Sequence, residues 1–199
     1  MAGDVPVSNP WLRPSSRPGS TNGKPQQSVQ SASADLTGPT APQRGIPHPE
    51  RTLPVARPEV GEGPAWWWLG VHGGAGVSAL EQAVPGGRDA ERAWPVAAGA
   101  QRVVLVARSS AHGLDAAQNA AQQWASRMVT GIDLLGLVVV ADAPGRRPRA
   151  LRDRVRLVSG AVPRLWEIPW VEPWRLGEPH LPKECASLGR DLSRLTQPA

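Results

Sequence analysis

Four continuous apolar runs, separated by segments of helical or loop character, constrain the fold of this chain most strongly. The runs are Trp66–Val71, Val103–Val106, Leu134–Ala141 and Leu165–Ile168. Because they do not alternate with polar residues, they are typical of strands buried on both faces of a parallel sheet. Helices that connect such strands cover the two faces. We therefore predict an α/β fold with a mostly parallel sheet and helices on both faces.

The residue patterns outside the four apolar runs predict four helices and one short edge strand. In the clearest helix, apolar residues recur at steps of three and four and form one stripe. The predicted helices are Ser78–Val84, Leu114–Met128, Arg149–Val158 and Lys183–Leu195. Arg92–Val96 is predicted to be a short edge strand, because Pro95 cannot donate a hydrogen bond at the centre of a sheet.

Residues 1–63 differ in composition from the remainder of the chain. Twelve of the 22 prolines lie between Pro6 and Pro64, and Ser, Gln, Gly and Thr fill the gaps. Such a segment has too little apolar surface to offset the entropy of ordering, roughly 1–2 kcal/mol per residue. We predict a disordered Pro/Ser/Gly-rich tail over 1–63 and a small α/β domain over 64–199. The tail is either a tether for a partner or a segment without a specific partner.

Cysteine use and hydropathy indicate the compartment. Cys185 is the only cysteine, so neither an intramolecular disulfide nor a cysteine-based metal site can form. This fits a reducing cytoplasm. The N-terminal residues show no secretory signal, and Leu134–Ala141, the longest apolar run, is too short to span a bilayer. We expect a cytoplasmic protein without a membrane anchor.

The histidines and serines offer little support for other chemistry. His72, His112 and His180 lack the spacing of metal ligands, so no histidine-based metal site is predicted. Ser109 and Ser110 lie close to His112 in the sequence, but no acidic third member is evident. A hydrolase is therefore not favoured.

The segment His72–Ala79 carries the strongest functional motif. It reads HGGAGVSA, follows a predicted strand and opens a predicted helix. Glycines let the backbone turn tightly and direct successive N–H groups inward, and a helix N-terminus adds partial positive charge. The loop is thus a candidate anion-binding site. Its candidate cofactor-binding residues are Gly73, Gly74, Gly76, Val77, Ser78 and Ala79.

This loop resembles the deviant phosphate loop of the ParA/MinD partition-type ATPases, members of the SIMIBI class. That motif has the form Lys-Gly-Gly-x-Gly-Lys-Ser/Thr-Thr. The three glycines and Ser78 match it, whereas His72 replaces the signature lysine and Val77 replaces the phosphate-binding lysine. Looser similarity extends from about residue 66 to 195. The chain also resembles an uncharacterised group of short actinobacterial proteins.

The resemblance implies a P-loop NTPase-like three-layer domain, with ATP or ADP and Mg²⁺ as candidate ligands. Val77 cannot neutralise a phosphate, and no clear catalytic acid is present. The resemblance therefore favours a non-catalytic scaffold or adaptor, a pseudo-ATPase that acts through a protein partner. One alternative is a switch that binds ATP or ADP weakly and forms a homodimer. Others are a loop that binds another anion, and a relic that only links strand to helix.

Two residues are candidate ligands for Mg²⁺. Asp142 ends an apolar strand in the manner of a Walker B aspartate, and the Ser78 hydroxyl would be its partner. Asp142 also begins an Asp-Ala-Pro-Gly segment, so an ordinary turn residue is the alternative. Asp89 is expected in a glycine-rich turn.

The segment from Gly145 to Arg156 contains six arginines. Such a segment can contact the phosphates of DNA or an acidic partner. The alternative is a solvated basic helix in an arginine-rich chain. The candidate nucleic-acid-binding residues are Arg146, Arg147, Arg149, Arg152 and Arg156. Trp170 and Trp174, near the predicted ligand edge, either stack on a base or cap the core.

Overall fold

The computed structural model describes residues 35–58, 63–178 and 180–197. These residues form short strands and helices in alternation. In chain order they are β1 (Val55–Ala56), β2 (Trp66–Gly70), α1 (Val77–Ala83), β3 (Gly87–Asp89), β4 (Trp94–Pro95), β5 (Gln101–Arg108), α2 (Ala111–Ala125), β6 (Ile132–Val140), α3 (Arg149–Ser159), β7 (Leu165–Ile168), α4 (Glu172–Arg175) and α5 (Lys183–Thr196). No helix among the described residues is long and apolar enough to cross a bilayer.

The central sheet has five parallel strands in the order β3-β2-β5-β6-β7. On one face, Leu105 packs with Leu114 and Trp124 of α2. On the other face, Val106 packs with Leu80 of α1 and Leu188 of α5. The predicted α/β fold, with a mostly parallel sheet between helices, is confirmed.

The edge of the central sheet next to β2 is formed by a strand that the sequence did not predict. Gly87–Asp89 occupies that edge, whereas Trp94–Pro95 pairs with Val55–Ala56 in a separate two-stranded sheet. Glycine is required at position 87, because a Cβ there would collide with the indole nitrogens of Trp66 and Trp68. The short edge strand predicted within Arg92–Val96 is therefore present, over Trp94–Pro95, but in a sheet of its own with Val55–Ala56. Asp89, expected in a turn, ends a strand.

Residues 35–58, which we call the strap, pack against the domain. Ile46 and Leu53 contact the apolar core. The Thr37 N–H donates to the Pro163 carbonyl at 2.9 Å, and the Gln43 N–H donates to the Ala125 carbonyl at 3.0 Å. The prediction of a disordered tail is thus wrong for these residues. They have few apolar side chains, but their backbone N–H groups form hydrogen bonds with residues distant in the sequence. Residues 1–34 and 59–62 lie outside the described residues.

One buried glutamine holds the strap. Gln123 of α2 is almost fully buried, and its Oε1 accepts from the Leu53 N–H at 2.8 Å. Its Nε2 donates to the Leu53 carbonyl at 2.9 Å. The same Oε1 accepts from Trp94 Nε1 at 3.0 Å. The side chain thereby joins the strap, α2 and β4 through three hydrogen bonds.

The thiol of Cys185 lies in the core on α5. Burial, with a smaller contribution from Glu184, raises its pKa to about 12. The thiolate fraction at pH 8 should therefore be on the order of a thousandfold lower in the folded chain than in the unfolded chain, and only the thiolate reacts. We expect almost no reaction with Ellman's reagent in buffer and rapid reaction of one thiol in 6 M guanidinium. Rapid labelling of the folded chain would contradict the buried position.

Candidate functional site

The glycine loop lies at the carboxyl end of β2, where ligands bind in open parallel sheets. It borders a cavity of about 410 Å³, which we call the site cavity. All six predicted cofactor-binding residues line it. The others that matter for its chemistry are Asp89, Arg92, Arg108 and Trp174. The structure therefore brings the predicted loop residues together and adds charged groups that the sequence did not indicate.

Two glycines hold the loop in a conformation that other residues rarely adopt. Gly74 has φ +74° and Gly76 has φ +104°. Both angles lie in the left-handed region, where a Cβ is disfavoured. A Cβ on Gly74 would meet no atom within 4 Å, whereas one on Gly76 would lie 3.8 Å from Arg108 Nη2. The Arg108 guanidinium thus lies directly against the loop.

Val77 contributes no charge to the site. Its side chain is buried in the core, and its Cγ2 would lie 3.0 Å from a Cβ on Gly70. The positive groups of the site cavity are instead Arg92 and Arg108. Arg108 is the last residue of β5, the strand beside β2. Had the strand order been known from the sequence, it would have placed Arg108 next to the glycine loop. Arg92 follows β3, whose position the sequence did not reveal.

Arg108 connects the loop to the neighbouring strands. Its Nε donates to the Gly74 carbonyl at 3.1 Å, and its Nη1 donates to the Ala141 carbonyl at 2.9 Å. Burial lowers the pKa of Arg108, while the nearby Asp142 carboxylate acts in the opposite direction. An arginine remains charged under such conditions. The loop is therefore held by a cation that also faces the cavity.

His72 occupies the position of the signature lysine as a buried, neutral ring. Its Nε2 accepts from the Arg108 backbone N–H at 3.0 Å, so its proton is on Nδ1, which donates to the Gly73 carbonyl at 2.8 Å. Burial is the main cause that lowers the pKa of His72. The Gly73 carbonyl opposes this effect, and the positive charges of His112, Arg108 and Arg92 add to it. His72 therefore fixes the loop and does not supply charge.

The structure does not bring Asp142 and Ser78 to one cavity. Asp142 Oδ1 accepts from Ser109 Oγ at 2.7 Å, and Asp142 lines a separate cavity of about 230 Å³. Asp89 shares the site cavity with Ser78 instead, and its Oδ1 accepts from the Glu91 N–H at 2.8 Å. No cluster of three or more potential metal ligands of the His, Cys, Asp or Glu type exists among the described residues.

The tryptophans predicted at the ligand edge lie beside the cavities. Trp174 lines the site cavity, and its Nε1 donates to the His180 carbonyl at 2.9 Å. Trp170 lines the adjacent cavity with Asp142, and its Nε1 donates to Glu172 at 2.6 Å. Stacking on a base stays a prediction.

The arginine-rich segment forms most of α3 and the loop before it. Its arginines share three carboxylates: Arg147 with Glu167 at 2.7 Å, Arg154 with Asp115 at 2.9 Å, and Arg149 and Arg156 with Asp153 at 3.7 and 3.8 Å. Arg152 donates to the Arg147 carbonyl. Arg146 is exposed. None of these residues lines the site cavity. Nucleic-acid binding by this segment stays a prediction.

Comparison with known protein families identifies the family to which the chain belongs. The family described as "Family of unknown function (DUF6668)" matches residues 64–188, more than half of the chain. The chain belongs to the DUF6668 family. The matched DUF6668 region begins just before β2 and ends within α5, so it contains the sheet and the glycine loop but not the strap. No curated protein and no solved structure matches the chain.

Proposed function

We propose that this DUF6668 member is a non-catalytic, P-loop-like domain that binds ATP or ADP at the site cavity and acts through a protein partner. The observation that carries the proposal is the meeting of a glycine loop with two arginines at one cavity. The two guanidinium groups would supply the positive charge that a lysine supplies in the phosphate loop that this segment resembles.

The two arginines supply what Val77 lacks. A guanidinium offers a planar fork of donors that matches phosphate oxygens, and such charge-assisted hydrogen bonds are stronger than neutral ones. Arg108 is held in place by the Gly74 and Ala141 carbonyls, so little of its conformational entropy is lost when a phosphate binds. The side chain of Arg92 is exposed at the same cavity. Together they support phosphate binding at the loop.

Two oxygen-bearing side chains of the cavity fit a Mg²⁺ ion that arrives with a nucleotide. Mg²⁺ in nucleotide sites retains several waters and takes one or two protein oxygens in addition to phosphate oxygens. Ser78 and Asp89 both line the site cavity and would supply such oxygens. Asp142 is bonded to Ser109 and lines another cavity, so it is not part of this proposal.

Two substitutions of Gly74 test the proposal. Asn and Asp both tolerate the left-handed region, and at this position a Cβ meets no atom within 4 Å. Gly74→Asp places a negative charge at the cavity, whereas Gly74→Asn places a neutral side chain of nearly equal size there. We expect Gly74→Asp to weaken binding of Mg-ADP about a hundredfold relative to Gly74→Asn, since like charges repel. Calorimetric titration of the full chain measures the affinities.

The wild-type chain should bind Mg-ATP or Mg-ADP with a Kd below about 100 µM, or roughly −5.5 kcal/mol. Equal melting temperatures for the two Gly74 variants establish that strain is matched. Equal affinities of the two variants, or no heat of binding by a folded wild-type chain, would refute nucleotide binding at the loop. Turnover of ATP would refute the non-catalytic part of the proposal.

A further inference from the structure

A second cavity lies between the strap and α2. It has a volume of about 230 Å³, and we call it the strap cleft. Arg51 lines it from the strap, Arg92 from the turn after β3, and His112 and Asp115 from the first turns of α2. His72 and Arg92 line both the strap cleft and the site cavity. Arg51 lines the strap cleft but not the site cavity, so its substitution distinguishes the two spaces.

The strap cleft is lined by two arginines and a histidine whose side chains have no acidic partner in the described part of the chain. The side chains of Arg51, Arg92 and His112 are exposed, and none of them makes a hydrogen bond or ion pair with a residue that the structure describes. The His112 ring contacts the His72 ring edge-on, with centroids 5.7 Å apart. The acidic group of the cleft, Asp115, is already paired with Arg154 at 2.9 Å. Two guanidinium groups and one imidazole, all without a carboxylate partner among the described residues, therefore line a space whose own carboxylate is already paired with Arg154.

The groups that line the strap cleft also act on the neighbouring imidazole of His72. After burial, the positive charges of His112, Arg108 and Arg92 all act to lower the pKa of His72. Since His72 stands between the two cavities, an anion on either side of it would relieve this repulsion.

The strap is held firmly enough to present Arg51. Leu53, two residues along, makes both of its backbone hydrogen bonds to the Gln123 side chain. The Trp94 N–H then donates to the Pro54 carbonyl at 2.8 Å. An arginine on an anchored backbone loses less entropy on binding than one on a free chain.

We propose that the strap cleft is a second anion-binding site, in which Arg51, Arg92 and His112 bind a phosphate group. Its volume is below the roughly 300–1,000 Å³ of cavities that enclose whole drug-sized ligands, so a phosphate or a small phosphate ester fits better than a nucleotide. The site goes beyond the proposed function, since Arg51 and the strap lie outside the site cavity.

The experiment is a calorimetric titration of the full chain carrying Gly74→Asp, the substitution expected to weaken anion binding at the glycine loop about a hundredfold. Inorganic phosphate and glycerol 3-phosphate are the probes, at low and fixed ionic strength. We expect saturable binding that Arg51→Gln weakens about tenfold, the effect of one charge-assisted hydrogen bond. The matched control is Arg57→Gln. Arg57 is also an exposed strap arginine, but it lines a different cavity.

The outcomes separate the two proposals. If inorganic phosphate binds more tightly, the ligand is free phosphate; if glycerol 3-phosphate binds more tightly, the ligand is an organic phosphate. Either result supports the site. No binding to the Gly74→Asp chain, when the wild type binds phosphate, would overturn the strap cleft and leave the glycine-loop proposal intact. Equal weakening by Arg51→Gln and Arg57→Gln would show a general charge effect and also overturn it. Unchanged circular dichroism confirms that the variants are folded.

Discussion

Gln123→Met is expected to lower the free energy of unfolding by about 3 kcal/mol, because three polar groups lose their partner while the volume is nearly conserved. Those groups are the Leu53 N–H, the Leu53 carbonyl and Trp94 Nε1. The Gln123 side chain is only 3% exposed, so water cannot replace it without opening the strap from α2. Gln123→Met should therefore both lower the stability of the domain and release residues 35–58 from α2.

Urea denaturation measures the free energy of unfolding, and limited trypsin digestion measures the release of the strap. Cleavage after Arg44 and Arg51 should be faster in Gln123→Met than in the wild type. Gln118→Met is the matched control, since Gln118 is an exposed glutamine on the same helix. If both variants unfold at the same urea concentration as the wild type, the strap is not held by Gln123.

Gly113→Ala is expected to destabilise the domain by about 2 kcal/mol, although alanine favours helices by up to about 1 kcal/mol over glycine. A Cβ on Gly113 would collide with the Arg108 carbonyl oxygen and lie 2.9 Å from His72 Nε2. The Arg108 oxygen belongs to the backbone of a central strand and cannot rotate away. Helix α2 must therefore move, so the cost of overpacking exceeds the gain in helix propensity.

The matched control is the same substitution in α5. A Cβ on Gly189 would lie 3.3 Å from Cγ1 of Val84, the end of a side chain that can shift by a few tenths of an ångström. Gly189→Ala should therefore be close to neutral. Thermal unfolding of the two variants compares them directly. Equal melting temperatures would mean that α2 can move away from β5 at little cost.

The Gly113 contact also links stability to the site. The collision involves the two residues that hold the glycine loop, since Arg108 donates to the Gly74 carbonyl and His72 to the Gly73 carbonyl. Close approach of α2 to the end of β5 is thus part of the loop's support. A chain of this family that carries a glycine loop without such support would lack the fixed backbone that anion binding requires.

The sequence by itself determined the strands β2, β5, β6 and β7 and their place in a parallel sheet, because a continuous apolar run is a local property of the chain. It also located the glycine loop, since a tight turn before a helix requires glycines at that point. Helix α2 was predicted three residues too late, because its stripe begins at Leu114 while Ser110 caps the helix by accepting from the Gly113 N–H.

Only the tertiary structure decided which strand lies beside β2 and which charges face the loop. Gly87–Asp89 is too short and too polar to show a strand pattern, and it pairs there because Gly87 passes close to tryptophans some 20 residues earlier. That pairing brings Asp89 and Arg92 to the cavity, and the order of the sheet brings Arg108. The strap is ordered for the same reason: Gln123, 70 residues away, supplies the hydrogen bonds that its own sequence cannot.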